Sequence, residues 1–387
     1  MRRIYLDHTA TTSLDPRVMD AMLPYFSGTF GNASSVHAFG REAKEALERA
    51  RTVVAEAVGA EPAEVFFTSG GTEADNLAVC GVMAASRARR EIVTVPTEHH
   101  AVLEPCRRLA EQGAVLTMVP VDGEGMLEME TLRARVGEGT ALVSVMHANN
   151  ETGTIAPVAE IASLAHAQGA LVHTDAVQSA GKIPVNVREL GVDLLSLSAH
   201  KMYGPKGIGA LVVRRGVPVE PLLVGGGQER GRRPGTENVP LAVGFAEAFR
   251  LSLVDREEEA ARLRSLRDAL EAEVRRMFPA VILNGHPSAR LPHILNVSFA
   301  ASDYPLEGEM LVMGMDLEGV AVTSGSACTS GSLDPSHVIL AMGRDAATAR
   351  ATLRFSFGRG NTMEDVGETA ARLKIVVERM LAGRGRR

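Results

Sequence analysis

The chain has 387 residues, a formal charge of −6, 45% hydrophobic and 23% charged residues, the profile of a soluble globular protein long enough for two domains. An acidic balance argues against a nucleic-acid-binding surface, and no run of ~18 apolar residues offers a membrane span. Cys80, Cys106 and Cys328 make no CxxC pair and no disulfide framework, which points to a reducing cytoplasm, and His99-His100 lacks the second ligand cluster of a zinc site.

Residues 4–12 read as a short strand and a polar turn. The amino terminus turns acidic at Asp7 before any apolar signal core could form. The first clear helix spans about 36–58, with Ala43, Leu47, Ala50, Val54 and Ala57 as its apolar stripe. Strands and helices then alternate. Strands are expected at 65–68, 92–95, 115–119, 142–146, 171–174, 192–197 and 208–213, with helices to about 85, over 100–112 and near 161–168. That rhythm predicts a mostly parallel sheet covered on both faces. After Pro240 it changes: 241–277 is almost all helix-forming and reads as a helix leaving a large domain, a hinge, and a helix of a smaller one. A strand near 294–299 and a last helix near 365–381 complete the smaller unit, giving domains 15–255 and 1–14 with 256–387.

Lys201 stands in Ser198-Ala199-His200-Lys201-Met202-Tyr203-Gly204-Pro205-Lys206-Gly207, where a strand end meets a glycine-rich turn. Of 41 basic residues only five are lysines, and two of them share this loop. A lysine can lose its proton and form a Schiff base, which arginine cannot; a pair of solvated loop lysines gives the same pattern. Ser69-Gly70-Gly71-Thr72-Glu73 joins a strand to a helix, as a phosphate cradle or as an ordinary capped start. Asp175 closes the apolar run from Ala170, where a carboxylate needs a partner such as a protonated pyridine nitrogen, or else caps a helix. His99 follows another strand, placed to stack on a ring and move protons or to serve structure alone. Cys328 lies among small polar residues from Thr323 to Ser332, a poor setting for a buried thiol and a good one for a nucleophile on an exposed arm. Arg354 alternates with apolar neighbours as on a strand, and an inward arginine wants a carboxylate from a substrate or from the protein.

Together these motifs resemble the cysteine desulfurases of the nitrogen-fixation and iron–sulfur-assembly type, within the class V aminotransferase group. The likeness runs from Tyr5-Leu6-Asp7 to Arg354-Phe355-Ser356-Phe357-Gly358-Arg359, and Gly325-Ser326-Ala327-Cys328 is among its most specific parts. It implies the α/β fold type I of pyridoxal-phosphate enzymes, with a mostly parallel seven-stranded sheet flanked by helices and a smaller α+β domain. By the resemblance, Lys201 holds pyridoxal 5'-phosphate covalently and shuttles a proton, and Asp175 pairs with the pyridine nitrogen. Gln178 meets the ring oxygen and His99 stacks on the ring. Gly71, Thr72, Ser198 and His200 hold the phosphate, while Thr236 reaches that of a partner subunit in a homodimer. Asn150 and Arg354 grip the carboxylate of L-cysteine, and Cys328 takes the sulfur as a persulfide for an acceptor such as an iron–sulfur scaffold or a tRNA-thiolation enzyme. His8 and Ala33 depart from the usual pattern. Alternatives are a thiol-independent lyase such as a selenocysteine lyase, and a non-catalytic sulfur carrier or scaffold partner.

Overall fold

The computed structural model describes residues 2–86, 88–325 and 334–384; Cys328 and its neighbours in 326–333 lie outside the described residues. The strands in chain order are β1 (Ile4–Tyr5), β2 (Val65–Thr68), β3 (Glu91–Thr94), β4 (Val115–Met118), β5 (Thr140–Ser144) and β6 (Leu171–Asp175). They continue as β7 (Leu194–Ser198), β8 (Gly209–Val213), β9 (Val281–Leu283), β10 (Ile294–Phe299), β11 (Val320–Ala321) and β12 (Thr352–Ser356).

Among the described residues, seven strands form one sheet in the order β2-β8-β7-β6-β5-β3-β4. Neighbours from β4 to β7 pair in parallel, and β8 pairs antiparallel with both β7 and β2, so β8 alone runs against the rest. Continuous apolar runs explain the central strands: β5, β7 and β8 are buried along their whole length, as strands covered on both faces must be. β4, at the edge, is partly exposed. One face packs against a core holding Val54, Val143, Leu197 and Phe245, the other against Phe66, Leu77, Ile92 and Leu211. Full burial of a side chain such as Phe245 contributes about 2–3 kcal/mol.

The helix Ala38–Ala57 turns Ala43, Leu47, Ala50 and Val54 inward at helical spacing, and its chain leaves through Gly59 at φ +68°. The helices Val239–Val254 and Arg256–Met277 meet at Asp255, whose backbone is not helical. The first buries Phe245 and Phe249 in the sheet's core; the second buries Leu263, Leu266, Leu270 and Val274 in another. That second core gathers Ile4, Leu6, Leu295, Phe355 and Leu373 around β10, which lies antiparallel between β9 and β12. β1 pairs in parallel with β11, so the first residues of the chain join its last third. Val338, Ile339, Met342 and Ala349, late in the sequence, pack instead on the sheet's core.

Strand positions agree with the periodicity to within a residue or two. Helices Pro16–Met22 and Met129–Arg135 have no counterpart in the sequence reading, because seven residues give too few turns for a period to show. The reversal of β8 is equally hidden, since a buried run carries no mark of its direction.

Candidate active site

The parallel strands send their carboxyl ends to one edge of the sheet, where open α/β sheets bind ligands. β6 ends in Asp175 and β7 in Ser198, with Asp175 in register with Ser196. A single 3-10 turn, Ala199–Lys201, follows β7 and carries Lys201. The Lys201 amine donates to the backbone oxygens of Thr9 (2.5 Å) and Ala10 (2.8 Å). Thr9 O also accepts from Gln178 Nε2 at 3.0 Å, so one carbonyl ties Lys201 to Gln178.

Asp175 is buried, and its Oδ1 accepts from Val177 N at 2.8 Å. Burial pushes its carboxyl up to about 6, with the Val177 bond and the Lys201 charge pulling the other way. Two further buried carboxylates, Asp75 and Glu98, stand near enough to feel its charge, and burial raises both well above the usual range. Glu98 Oε1 accepts from Met146 N at 2.5 Å, while Glu98 Oε2 and Asp75 Oδ1 have no hydrogen-bond partner among the described residues. His173 beneath them lies between Ser144 Oγ (2.8 Å) and Ser196 Oγ (3.0 Å), and burial lowers its ring to about 3.

His99 caps the helix His100–Glu111, its Nδ1 accepting from Ala101 N at 3.1 Å. Burial first, then the Lys201 charge, bring it down to about 4, so the ring is neutral at pH 7.

Gly71 and Thr72 open the helix Gly71–Ala85, whose first N–H groups have no side-chain cap. They line a hollow with Ser198, His200 and Lys206. His200 Nδ1 meets Thr11 Oγ1 at 3.1 Å, and burial, then Lys201 and Lys206, lower it to about 4. A Cβ on Gly71 would come 2.9 Å from Val177 Cγ2 and 3.6 Å from Ser198 Cβ, which is why glycine stands there.

Arg354, on β12, reaches across to the sheet. Its Nη1 donates to Asn150 O (2.9 Å) and its Nη2 to Asp7 Oδ1 (2.9 Å). The carboxylate that an inward arginine demands is therefore supplied by Asp7. Among the described residues, Arg354 Nε and Asn150 Oδ1 are buried without hydrogen-bond partners. Thr236 is exposed, on the loop before the helix Val239–Val254, and does not line the hollow. Among the described residues no group of histidines, cysteines or acids could hold a metal ion, and no helix is long and apolar enough to cross a membrane.

Lys201, Asp175, His99, Gln178 and the Gly71–Ser198–His200 hollow thus converge. Sequence reasoning missed the Thr9 and Ala10 carbonyls, and Asp75 and Glu98. Glu98 was in view beside His99, but nothing in the sequence marks it as buried.

The donor set fits pyridoxal phosphate. An uncapped helix start with a neighbouring lysine suits a phosphate, and the buried Asp175 carboxylate, raised by burial, suits a ring nitrogen's proton. The fold is that of the type I pyridoxal-phosphate α/β transferases. The chain belongs to the Aminotransferase class-V family, whose model matches residues 4–368, a family that works with this cofactor. It is 47% identical over 380 residues to a protein named Cysteine desulfurase IscS from Dictyoglomus turgidum, covering 98% of this chain and 95% of that one. A solved structure described as a NifS-like protein superposes with a TM-score of 0.90 at 37% identity, over 97% of this chain and all of the other. Another, SspA in complex with cysteine, gives 0.81 at 32% identity over 92% and 98%.

Proposed function

We infer that this chain is a pyridoxal-phosphate-dependent cysteine desulfurase, converting L-cysteine to L-alanine and passing the sulfur on from Cys328. The observation that carries the reading is the buried Asp175 carboxylate set beside the Lys201 amine at adjoining strand ends, in a chain 47% identical over nearly its whole length to a named cysteine desulfurase.

When bound, the cofactor supplies an electrophilic carbon and an electron sink. The residues do the rest. Gly71, Thr72, Ser198 and His200 would hold its phosphate, and Asp175 would pair with its ring nitrogen and keep it protonated. Gln178 orients the ring and His99 covers one face. Asn150 and Arg354, the latter exchanging its Asp7 partner, take the substrate carboxylate, Lys201 moves the proton at the substrate Cα, and neutral His99 trades protons at the substrate sulfur. Cys328 as thiolate attacks that sulfur: an S–S bond forms and the substrate C–S bond breaks, its electron pair returning to the carbon skeleton. Enzyme thiol and L-cysteine become enzyme persulfide and L-alanine.

The chain works as a cytoplasmic homodimer. Exposed apolar residues Phe26, Phe30, Val36, Phe39, Leu223 and Val224 support a partner copy, to which Thr236 would reach. The acceptor is an iron–sulfur scaffold or a tRNA-thiolation enzyme. Domains 15–255 and 1–14 with 256–387 carry the cofactor and the thiol respectively.

Replacing Cys328 by serine tests the reading. The variant is expected to bind cofactor and L-cysteine, seen as the usual absorbance changes, yet yield neither persulfide nor alanine. Undiminished alanine output would overturn the role of Cys328.

A further inference from the structure

Glu151 has no part in the chemistry above, yet it is 2% exposed and bonded through its N, its carbonyl and its Oε2. Its N donates to Asn149 Oδ1 at 2.9 Å, and its carbonyl accepts from Asn296 Nδ2 at 3.1 Å. The side chain then meets two places far along the chain. Oε2 accepts the Ser336 hydroxyl at 2.6 Å. The same oxygen lies 2.4 Å from where a Cβ on Gly325 would sit, and Gly325 has φ +112°, so no other residue fits there without displacement. Gly325 and Ser336 flank the segment that carries Cys328.

Each flank is fastened again nearby. Ser336 accepts from Val338 N (3.2 Å) and Ile339 N (3.3 Å), capping the helix His337–Ala341. Gly325 O accepts from Arg354 Nη1 at 3.4 Å. Burial raises the Glu151 carboxyl, while the Ser336 bond and the Arg354 charge pull it back.

We propose that Glu151 is a positioning residue for Cys328: its carboxylate joins the two stems of the segment and fixes the span that segment must bridge. This rests on the reading of Cys328 as the thiol that takes the sulfur. Where the stems stand sets where Cys328 is presented to the substrate sulfur, which enters the rate as an effective concentration. The bond from Ser336 needs an acceptor oxygen, which glutamine retains and alanine does not.

The test uses holoenzyme carrying Glu151→Ala, Glu151→Gln, Ser336→Ala and the double alanine variant. Two things are measured: the absorbance change on adding L-cysteine, and the single-turnover rate of persulfide formation on Cys328 by mass spectrometry. Glu151→Ala is expected to slow persulfide formation roughly tenfold or more while leaving the absorbance change intact. Glu151→Gln should restore most of that rate, and the double variant should be no slower than either single one. Ser336→Ala, which leaves Glu151 in place, carries the test should Glu151→Ala fold poorly. Wild-type persulfide rates in both single variants, or losses that multiply in the double variant, would overturn the proposal. Neither result touches the desulfurase reading, which falls only if Cys328→Ser stays active.

Discussion

Two groups of buried acids sit in the same large unit and could hardly differ more. Glu229 is closed off: Arg51 Nη1 and Nη2 donate to it at 2.6 and 2.8 Å, and Phe67 N at 2.9 Å. Arg51 gives a further bond to Val65 O at 3.0 Å and lies over the Phe67 ring. The chain even adopts positive φ at Glu229 and Arg230 to make this fit, at a cost of about 1–3 kcal/mol each. Asp75, Glu98 and Asp175 are just as buried, but among the described residues Asp75 Oδ1 and Glu98 Oε2 have no hydrogen-bond partner, and burial pushes all three carboxyls up. A completed ion pair serves the fold alone. An incomplete cluster marks where a ligand's charge belongs.

The sharpest break of that comparison is Arg51→Ala. It strands Glu229 and is expected to cost about 3–5 kcal/mol in urea unfolding, with cofactor affinity unchanged in whatever remains folded. Asp175→Asn should act in the opposite sense on cofactor-free protein. A carboxyl raised from 3.8 to about 6 binds more protons folded than unfolded across that window, so it lowers stability above pH 6 and has no such effect below about 3.8. The asparagine variant is therefore expected to be more stable than the parent at pH 7, by at most ~3 kcal/mol, and to lose that advantage at pH 4. Histidines held neutral, His99 and His200 among them, lose stability as pH falls from 6.5 toward 4, but they do so in both proteins and cancel. The same variant should hold pyridoxal phosphate more weakly, read by absorbance titration; unchanged affinity would place the ring nitrogen elsewhere. Gly71→Ala is the mildest case. Its methyl must displace Val177 at about 1 kcal/mol, and weaker binding of inorganic phosphate to the cofactor-free protein would locate the anion site there.

What could be read in advance follows from the same contrast. Lys201 and Asp175 were legible because strand ends announce themselves, by an apolar run breaking into polar residues. Asp75 was not, since it lies in a helix whose burial on nearly all sides leaves no clear period. The Asp7 partner of Arg354 lies 347 positions away, a distance over which no local pattern speaks. The carbonyls of Thr9 and Ala10 were invisible for a simpler reason: every residue has one. The packing of Val338 and Ile339 on the sheet's core, against the expected placement of 256–387 apart from it, carries no local signal either.

The clamp on Lys201 also has a history in time. Thr9 and Ala10 are seated by β12, through Thr9 N to Ser356 Oγ at 3.0 Å and the pairing of Asp7 with Ser356. On a ribosome the amine and the strand that bears it emerge more than a hundred residues before Ser356 does. The turn that clamps Lys201 must therefore wait until β12 has been made before it can take its seat, so the clamp closes well after the strand leading into Lys201 is complete.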